Sequence, residues 1–501
     1  MNLYVYESDS SAVIVDYGIK FADPQICGID WIAPDTAYLE SIRHKLKAVL
    51  FTHGHEDHIG GVLRMLSLLS LPIYTGRFTA ELIKHKTRNE KSFPQITVIK
   101  DGEKLTFEDI NVCFFPVSHS IPDTSGIILE HNGFTAVHLS DFLNISDMKM
   151  ALSGNGVNLL LLDSTNAVSR KEPHTEDEVQ RELVKIFSET RGKVFLTTFA
   201  SNVIRLNSVV IAAKATGRKI VIEGAAMERT VSIAARLGYI YISENDLIPA
   251  KTAFNEEPSS VVYLVSGCQG ELSSALHSIV KGERKAINIS EGDTLIFSSR
   301  VIPGNEINIS AIINSTARLG AEIVQFPDRP VHISGHASVR ELKRVITDIS
   351  PEYFVPIHGE YRHLAAHAGL AAEAGISGER CLSLETGDQI IFEDGKPAEK
   401  RIIDSGRAYI DKRGDFVLNE TELYERKRIA RDGLVLIKTT DGKLSLRTYG
   451  FKLTPEQEAM VLSYAADSDK TQGCFDEELV LKAVKRFFKK TFNRRPLVEL
   501  L

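Results

Sequence analysis

Along the first third of the chain, short apolar runs alternate with polar or glycine turns. SAVIVDYG (residues 11–18), KAVLFTHGH (47–55), QITVIKDG (95–102), INVCFFPVSH (110–119), TSGIILEHNG (124–133) and FTAVHLSDF (134–142) each read as a strand closed by a turn. Apolar residues at helical spacing are few here, IGGVLRMLSLLSLP (59–72) being the main stretch. The pattern predicts a sheet-rich α/β layer and not a doubly wound nucleotide fold.

The rhythm changes near Thr175. EDEVQRELVKIFSETRGK (176–193), NVIRLNSVVIAAKATGR (202–218) and MERTVSIAARLGY (227–239) read as helices. VFLTTFAS (194–201), KIVIEG (219–224), VVYLVSGCQG (261–270), TLIFSSRVIPG (294–304) and AEIVQFP (321–327) read as strands. Such alternation predicts a parallel sheet covered by helices. After Pro330 the first pattern returns in VHISGH (331–336) and EYFVPIHGE (352–360), both expected as strands. The simplest organisation is one α/β domain over residues 1–175 and 329–400, interrupted by an inserted α/β domain over 176–328. Residues 401–501 form a linker and a small α+β domain, with strands in RAYIDKRGDFVL and GLVLIKTTDGKLSLRTYG and a helix in FDEELVLKAVKRFFKKTF.

Composition narrows the function classes. With 501 residues, 43% hydrophobic and 25% charged, the chain is neither disordered nor fibrous nor a coiled coil. No apolar run approaches the roughly 18 residues that span a bilayer, and MNLYVYESDSS lacks the basic start and apolar run of a secretory signal. No membrane role is expected. The five cysteines (Cys27, Cys113, Cys268, Cys381, Cys474) are scattered and never paired as C-x-x-C, which fits a reducing cytoplasm. A net charge of −7 gives no global attraction to nucleic acid, so a polyanionic substrate must be held by local basic groups or by metal.

The chemistry concentrates in FTHGHEDHIGG, where His53, His55, Asp57 and His58 stand as H-x-H-x-D-H. A strand ending at Thr52 would let the turn aim His53 and His55 at one ion and Asp57 and His58 toward a neighbouring position. Imidazole with carboxylate suits Zn²⁺, with Mn²⁺ possible where carboxylates contribute more. His119, Asp141 and His358 each end an apolar strand and complete the ligand set. The glycine loop of HISGHAS offers backbone N–H groups beside His332, Ser334, Gly335 and His336, a nest able to cradle a phosphate. A monophosphate suits such a nest better than a triphosphate. Ser201 and Asn202, before a helix, fit either a second phosphate contact or a plain N-cap. Lys482, Lys485, Arg486, Lys489 and Lys490, followed by Arg494 and Arg495, form a basic stripe on the last helix. That stripe suits RNA, or else is a solvated face whose apolar side (Leu481, Val484, Phe487, Phe488) packs in a dimer.

These motifs resemble the metallo-β-lactamase fold, and within it the β-CASP nucleases of the bacterial ribonuclease J family. The matching segments are FTHGHEDHIGG, PVSHSIPD, LLLDSTNA, FASN, SGCQGE, IPGNE, HISGHAS and VPIHGEYRHL, and the TFNRRP tail is similar to that family's ending. The resemblance implies an αββα sandwich with an inserted β-CASP domain. It implies two zinc ions per subunit: one held by His53, His55, His119 and Asp141, the other by Asp57, His58, Asp141 and His358. Asp141 would bridge them, and Asp16 would support the ligands. It gives His336 the scissile phosphate and the leaving 3′ oxygen, with Asp163 orienting it, and counts Asp57 among the catalytic residues. The implied enzyme is a dimeric or tetrameric ribonuclease with 5′→3′ exonuclease and endonuclease activity on RNA bearing a 5′-monophosphate, in mRNA decay and RNA maturation.

Two departures stand out. Cys268 replaces the more usual Ser in SGCQGE, which reads as a small buried substitution. A glycine-rich strand and turn usually precede the MNLYVYE-like segment, so either they lie upstream or an edge strand near the site is missing. Competing readings are a purely endonucleolytic β-CASP enzyme, a small-molecule hydrolase, which would need neither the insertion nor His336, and an inactive RNA-binding scaffold, which would have no reason to keep seven ligand residues.

Overall fold

The computed structural model describes residues 1–22, 26, 28–90, 93–145, 156–169, 174–411, 417–440, 443–469 and 477–501. Cys27 and Cys474 lie outside them. The chain divides into two compact units, Met1–Ile19 with Thr36–Ser405, and Lys20–Asp35 with Gly406–Leu501.

In the larger unit, a five-stranded sheet runs in the order Tyr4–Glu7, Ala12–Val15, Leu46–Phe51, Ile73–Thr75, Ile96–Val98. A six-stranded sheet runs Tyr353–Ile357, Leu159–Asp163, Phe134–Leu139, Ser125–His131, Ile110–Pro116, Lys104–Phe107. Strict alternation explains why these strands look continuously apolar: both faces are buried. Leu159 and Leu161 point between the sheets, with Val13, Val15, Leu50, Ile127 and Leu129. Leu160 and Leu162 point outward, onto Leu342, Val345 and Ile346 of the helix Val339–Ile349. On the far side, Ile14, Val49 and Phe51 meet Val62, Met65, Phe78 and Ile83 from the helices Val62–Leu68 and Arg77–Thr87. The layers are helix, sheet, sheet, helix, as expected.

The inserted segment carries an all-parallel sheet in the order Lys219–Glu223, Val261–Val265, Val194–Thr197, Thr294–Phe297, Glu322–Gln325. Helices Glu176–Glu189, Val203–Ala215 and Ala225–Leu237 cover one face, and their core runs on into the outer helical layer of the sandwich. Asp123 fastens this junction, accepting from Phe78 N (2.8 Å) and Tyr239 Oη (2.6 Å).

Two expectations require correction. VHISGH is not a strand. Its Val331 carbonyl is taken by the side chains of Arg205 and Ser298 and its Gly335 carbonyl lies 2.7 Å from His119 Nδ1, so side chains claim the backbone groups that a ladder would use. The apolar side of the last helix, Glu477–Phe492, is also not free for a dimer. Val480, Val484 and Phe488 are buried within the smaller unit against Val435, Ile437 and Val498 of its three-stranded sheet. That unit also holds the strand Trp31–Pro34, which pairs antiparallel with Arg407–Ile410.

Phe488→Ala should therefore destabilise the smaller unit by about 3–5 kcal/mol, the usual cost of deleting a buried phenyl ring. Denaturant melts at two protein concentrations check this: the loss should be the same at both, whereas a dimer core would make it depend on concentration.

Candidate metal centre and phosphate loop

Every candidate ligand leaves the same end of a strand. The strands ending at Pro116, Leu139, Asp163 and Ile357 run in one direction, since Ile110–Pro116 and Phe134–Leu139 both flank Ser125–His131 antiparallel and the other two are parallel to Phe134–Leu139. Leu46–Phe51 delivers the H-x-H-x-D-H turn from the facing sheet. Side chains far apart in sequence thus converge where the strands stop.

His53, His55, His119 and Asp141 bring ligand atoms within 4.8 Å of one another, and Asp57, His58 and His358 do the same. Asp141, 3% exposed, faces both groups. Its Oδ2 lies 3.6 Å from His53 Nε2 and 3.5 Å from His119 Nε2, while its Oδ1 lies 3.3 Å from His58 Nε2 and 2.9 Å from His358 Nε2. In the first group His55 Nδ1 sits 3.0 Å from His53 Nε2 and 3.2 Å from His119 Nε2. Burial pushes His53 well below the usual imidazole range, His55 to about 4 and His119 to about 3, so these rings stay neutral, the form that binds a cation. Three neutral rings with nitrogens aimed at one point and a carboxylate fit a metal ion. His358 Nε2 fits too, being buried beside Asp141 Oδ1 yet without a hydrogen bond among the described residues.

The supports are as specific as the ligands. Asp16 Oδ2 lies 2.7 Å from His58 Nδ1, and Asp16 also accepts from Thr52 N (2.8 Å) and Thr52 Oγ1 (2.9 Å). Asp16 and His358 both adopt left-handed backbone, at φ 61° and 54°, which costs on the order of 1–3 kcal/mol each where no glycine is present. Gly18 is forced: a Cβ there would lie 1.6 Å from the Asp57 carbonyl oxygen. Gly335 lets its backbone close on His119, where a Cβ would meet Cε1 at 2.9 Å.

His336 lies beside this cluster. Its Nδ1 is 2.7 Å from Asp163 Oδ2, and its Nε2 is 3.8 Å from Asp141 Oδ2. Burial opposes a charge on the ring, but the Asp163 and Asp141 carboxylates outweigh it and raise its pKa to about 9. Asp163 is fixed in turn by Thr165 N (2.9 Å) and Thr165 Oγ1 (2.7 Å). Asn166, which sequence reasoning missed although LLLDSTNA contains it, donates to Ser334 Oγ and to the His336 carbonyl, both at 2.9 Å.

The remaining candidates are less direct. Asn202 uses Oδ1 as the N-cap of Val203–Ala215, accepting from Arg205 N at 3.0 Å, and Ser201 is half-buried beside it. The same helix start touches the His119 loop through Ile204 N to the Ser120 carbonyl at 3.4 Å. His332 is buried, its Nδ1 has no hydrogen-bond partner among the described residues, and burial with Arg205 and Arg300 nearby lowers it to about 3. Cys268 is buried and its thiol is pushed up to about 12, chiefly by burial, which makes it inert as a nucleophile.

Comparison with known proteins agrees with this geometry. A ribonuclease J β-CASP domain family matches residues 191–316, a β-lactamase superfamily domain residues 27–198, and a Zn-dependent metallo-hydrolase RNA specificity domain residues 329–380. The chain is 34% identical to ribonuclease J 1 of Streptococcus pyogenes serotype M3, across 88% of this chain and 80% of that protein. It is 30% identical to ribonuclease J2 of Bacillus subtilis, across 99% of this chain and 95% of that one. A protein of unknown function from Enterococcus faecalis V583 shares the fold in its crystal structure, with a TM-score of 0.53 and 15% identity over 80% of this chain and 96% of its own. Metal binding follows from the match and the His/Asp cluster together.

Because one carboxylate faces both groups, Asp141→Ala should lower bound metal more than any single histidine change. Elemental analysis of the purified variants reads this out, and an unaltered metal content in Asp141→Ala would contradict the shared role.

Proposed function

The chain belongs to the ribonuclease J family of metal-dependent ribonucleases, and on that premise we propose a two-zinc enzyme that degrades RNA from its 5′ end and also cuts internally. Its setting would be the cytoplasm, in mRNA decay and RNA maturation. The observation that carries this reading is the Asp141 carboxylate set between two ligand groups, with His336 beside it.

His53, His55, His119 and Asp141 would hold one ion, and Asp57, His58, Asp141 and His358 the other. The nitrogen-rich donor set favours zinc, while the two carboxylates also suit Mn²⁺. When bound, such ions lower the pKa of an attacking water and neutralise charge on the scissile phosphate. The chain's own residues do the remaining work. His336 holds a proton and gives it to the departing 3′ oxygen, and Asp163 keeps the ring oriented for that transfer. The 332–336 loop cradles the phosphate with backbone N–H groups and Ser334, while Asn166 holds the loop's shape. Ser201 and Asn202 would add a phosphate contact from the start of their helix through donors other than Asn202 Oδ1, which caps it. The subunits would assemble into a dimer or tetramer through a surface other than the apolar side of Glu477–Phe492.

Two outcomes test the scheme. His336→Ala should slow cleavage by on the order of 10²–10⁴-fold with metal content retained. Loss of metal in this variant would reassign the residue to the ligand set. With 5′-labelled and 3′-labelled RNA, a 5′-monophosphate end should be degraded faster than a 5′-triphosphate end, and Ser334→Asp should erase that preference by placing negative charge in the cradle. Equal rates for the two ends in the unmodified protein would leave only the endonuclease reading.

A further inference from the structure

Arg205 is a charged side chain with 0% exposure, the largest fully buried one among the described residues. A guanidinium is kept in such a place only where its donors are satisfied. Here they are. Nε and Nη2 make paired 2.8 Å bonds to the two oxygens of Glu176, and Ser208 Oγ donates to the same carboxylate at 2.7 Å. Nη1 donates to the Val331 carbonyl at 2.7 Å and to Ser298 Oγ, which itself donates to the Val331 carbonyl at 2.6 Å.

Two of the three partners of this guanidinium, Glu176 and Val331, occupy particular places in the chain. Glu176 opens the first helix after the chain leaves the sandwich, and Val331 is the residue before His332, where the chain returns to the site. One planar group thus ties the outgoing and returning segments together. The returning loop is anchored at its other end by His119 on the Gly335 carbonyl and by Asn166 on Ser334 and the His336 carbonyl. Between these anchors stand only His332 and Ile333, so a shift at Val331 has two residues in which to be absorbed before it reaches Ser334, Gly335 and His336.

We propose that Arg205 is a positioning residue for the reaction: by holding Val331 it sets where the 332–336 loop lies against the metal centre. This rests on the role given above to that loop. Lysine cannot substitute, because a single ammonium cannot span both Glu176 oxygens and also reach Val331 in the same plane.

Two variants test the clasp. Arg205→Lys keeps a buried charge opposite Glu176 but gives up the fork. Arg205→Met combined with Glu176→Leu removes both charges, a replacement that buried ion pairs commonly tolerate without loss of stability. In whichever variant melts like the unmodified protein, hydrogen exchange of residues 332–336 should quicken and metal content should stay normal. The kcat on 5′-monophosphorylated RNA should fall about 10- to 100-fold, as expected for a small misplacement of reacting groups, with KM changing far less. Unchanged exchange of the loop in a folded variant would overturn the clasp whatever the activity. Quickened exchange with unchanged kcat would leave the clasp standing as a purely structural contact and overturn its role in the reaction. The unmodified protein run alongside separates this from the function itself: if it fails to cleave RNA, the nuclease reading falls, while the exchange measurement still decides whether Arg205 holds the loop.

Discussion

A carboxylate buried among histidines organises this protein. Asp141 is 3% exposed, yet its two oxygens are aimed at different imidazole groups, one at His53 and His119 and the other at His58 and His358. Removing such a charge from water is costly unless opposite charge or strong donors surround it. The neighbouring histidines lower its pKa well below the usual carboxylate range despite burial, so the group stays ionised. A cluster of this kind leaves too many lone pairs facing one another to be content without a cation, and His358 Nε2, although 2.9 Å from Asp141 Oδ1, makes no hydrogen bond among the described residues.

Meeting that demand shapes the surrounding backbone. The strands from both sheets stop together so that their last residues can converge. Asp16 and His358 accept left-handed conformations, and Gly18 and Gly335 give up side chains to let backbone approach Asp57 and His119. The inserted domain is drawn in as well. Its helix start touches the His119 loop, and its buried Arg205 reaches back to the carbonyl that precedes His332. Strain and close approach accumulate at the functional end of the sandwich, while the alternating Leu and Val positions behind it pack without special devices.

Much of this was legible in the residues. The strands of the sandwich and of the inserted sheet follow from apolar runs closed by turns, and H-x-H-x-D-H announced the metal cluster because few structural needs place so many ligand side chains in six residues. What sequence could not show depends on backbone geometry or on distant partners. VHISGH has the composition of a strand, but its carbonyls are taken by Arg205, Ser298 and His119, none of them near it in the chain. Asn166 is one polar residue in a turn until its two 2.9 Å bonds to the 334–336 loop are seen. The apolar side of the last helix reads as a dimer face, and only the sheet of Leu434–Thr440, Lys443–Tyr449 and Leu497–Leu500 shows that it packs inside the smaller unit.

If Asp141 joins two ion sites into one centre, both ions must lie against its carboxylate. Crystals of the zinc-loaded protein, with anomalous scattering recorded at the zinc edge, would locate them. Two peaks are expected on opposite sides of the Asp141 carboxylate, about 3.5–4 Å apart as in paired-metal hydrolytic sites. A single peak, or a second one away from Asp141, would contradict the joined centre.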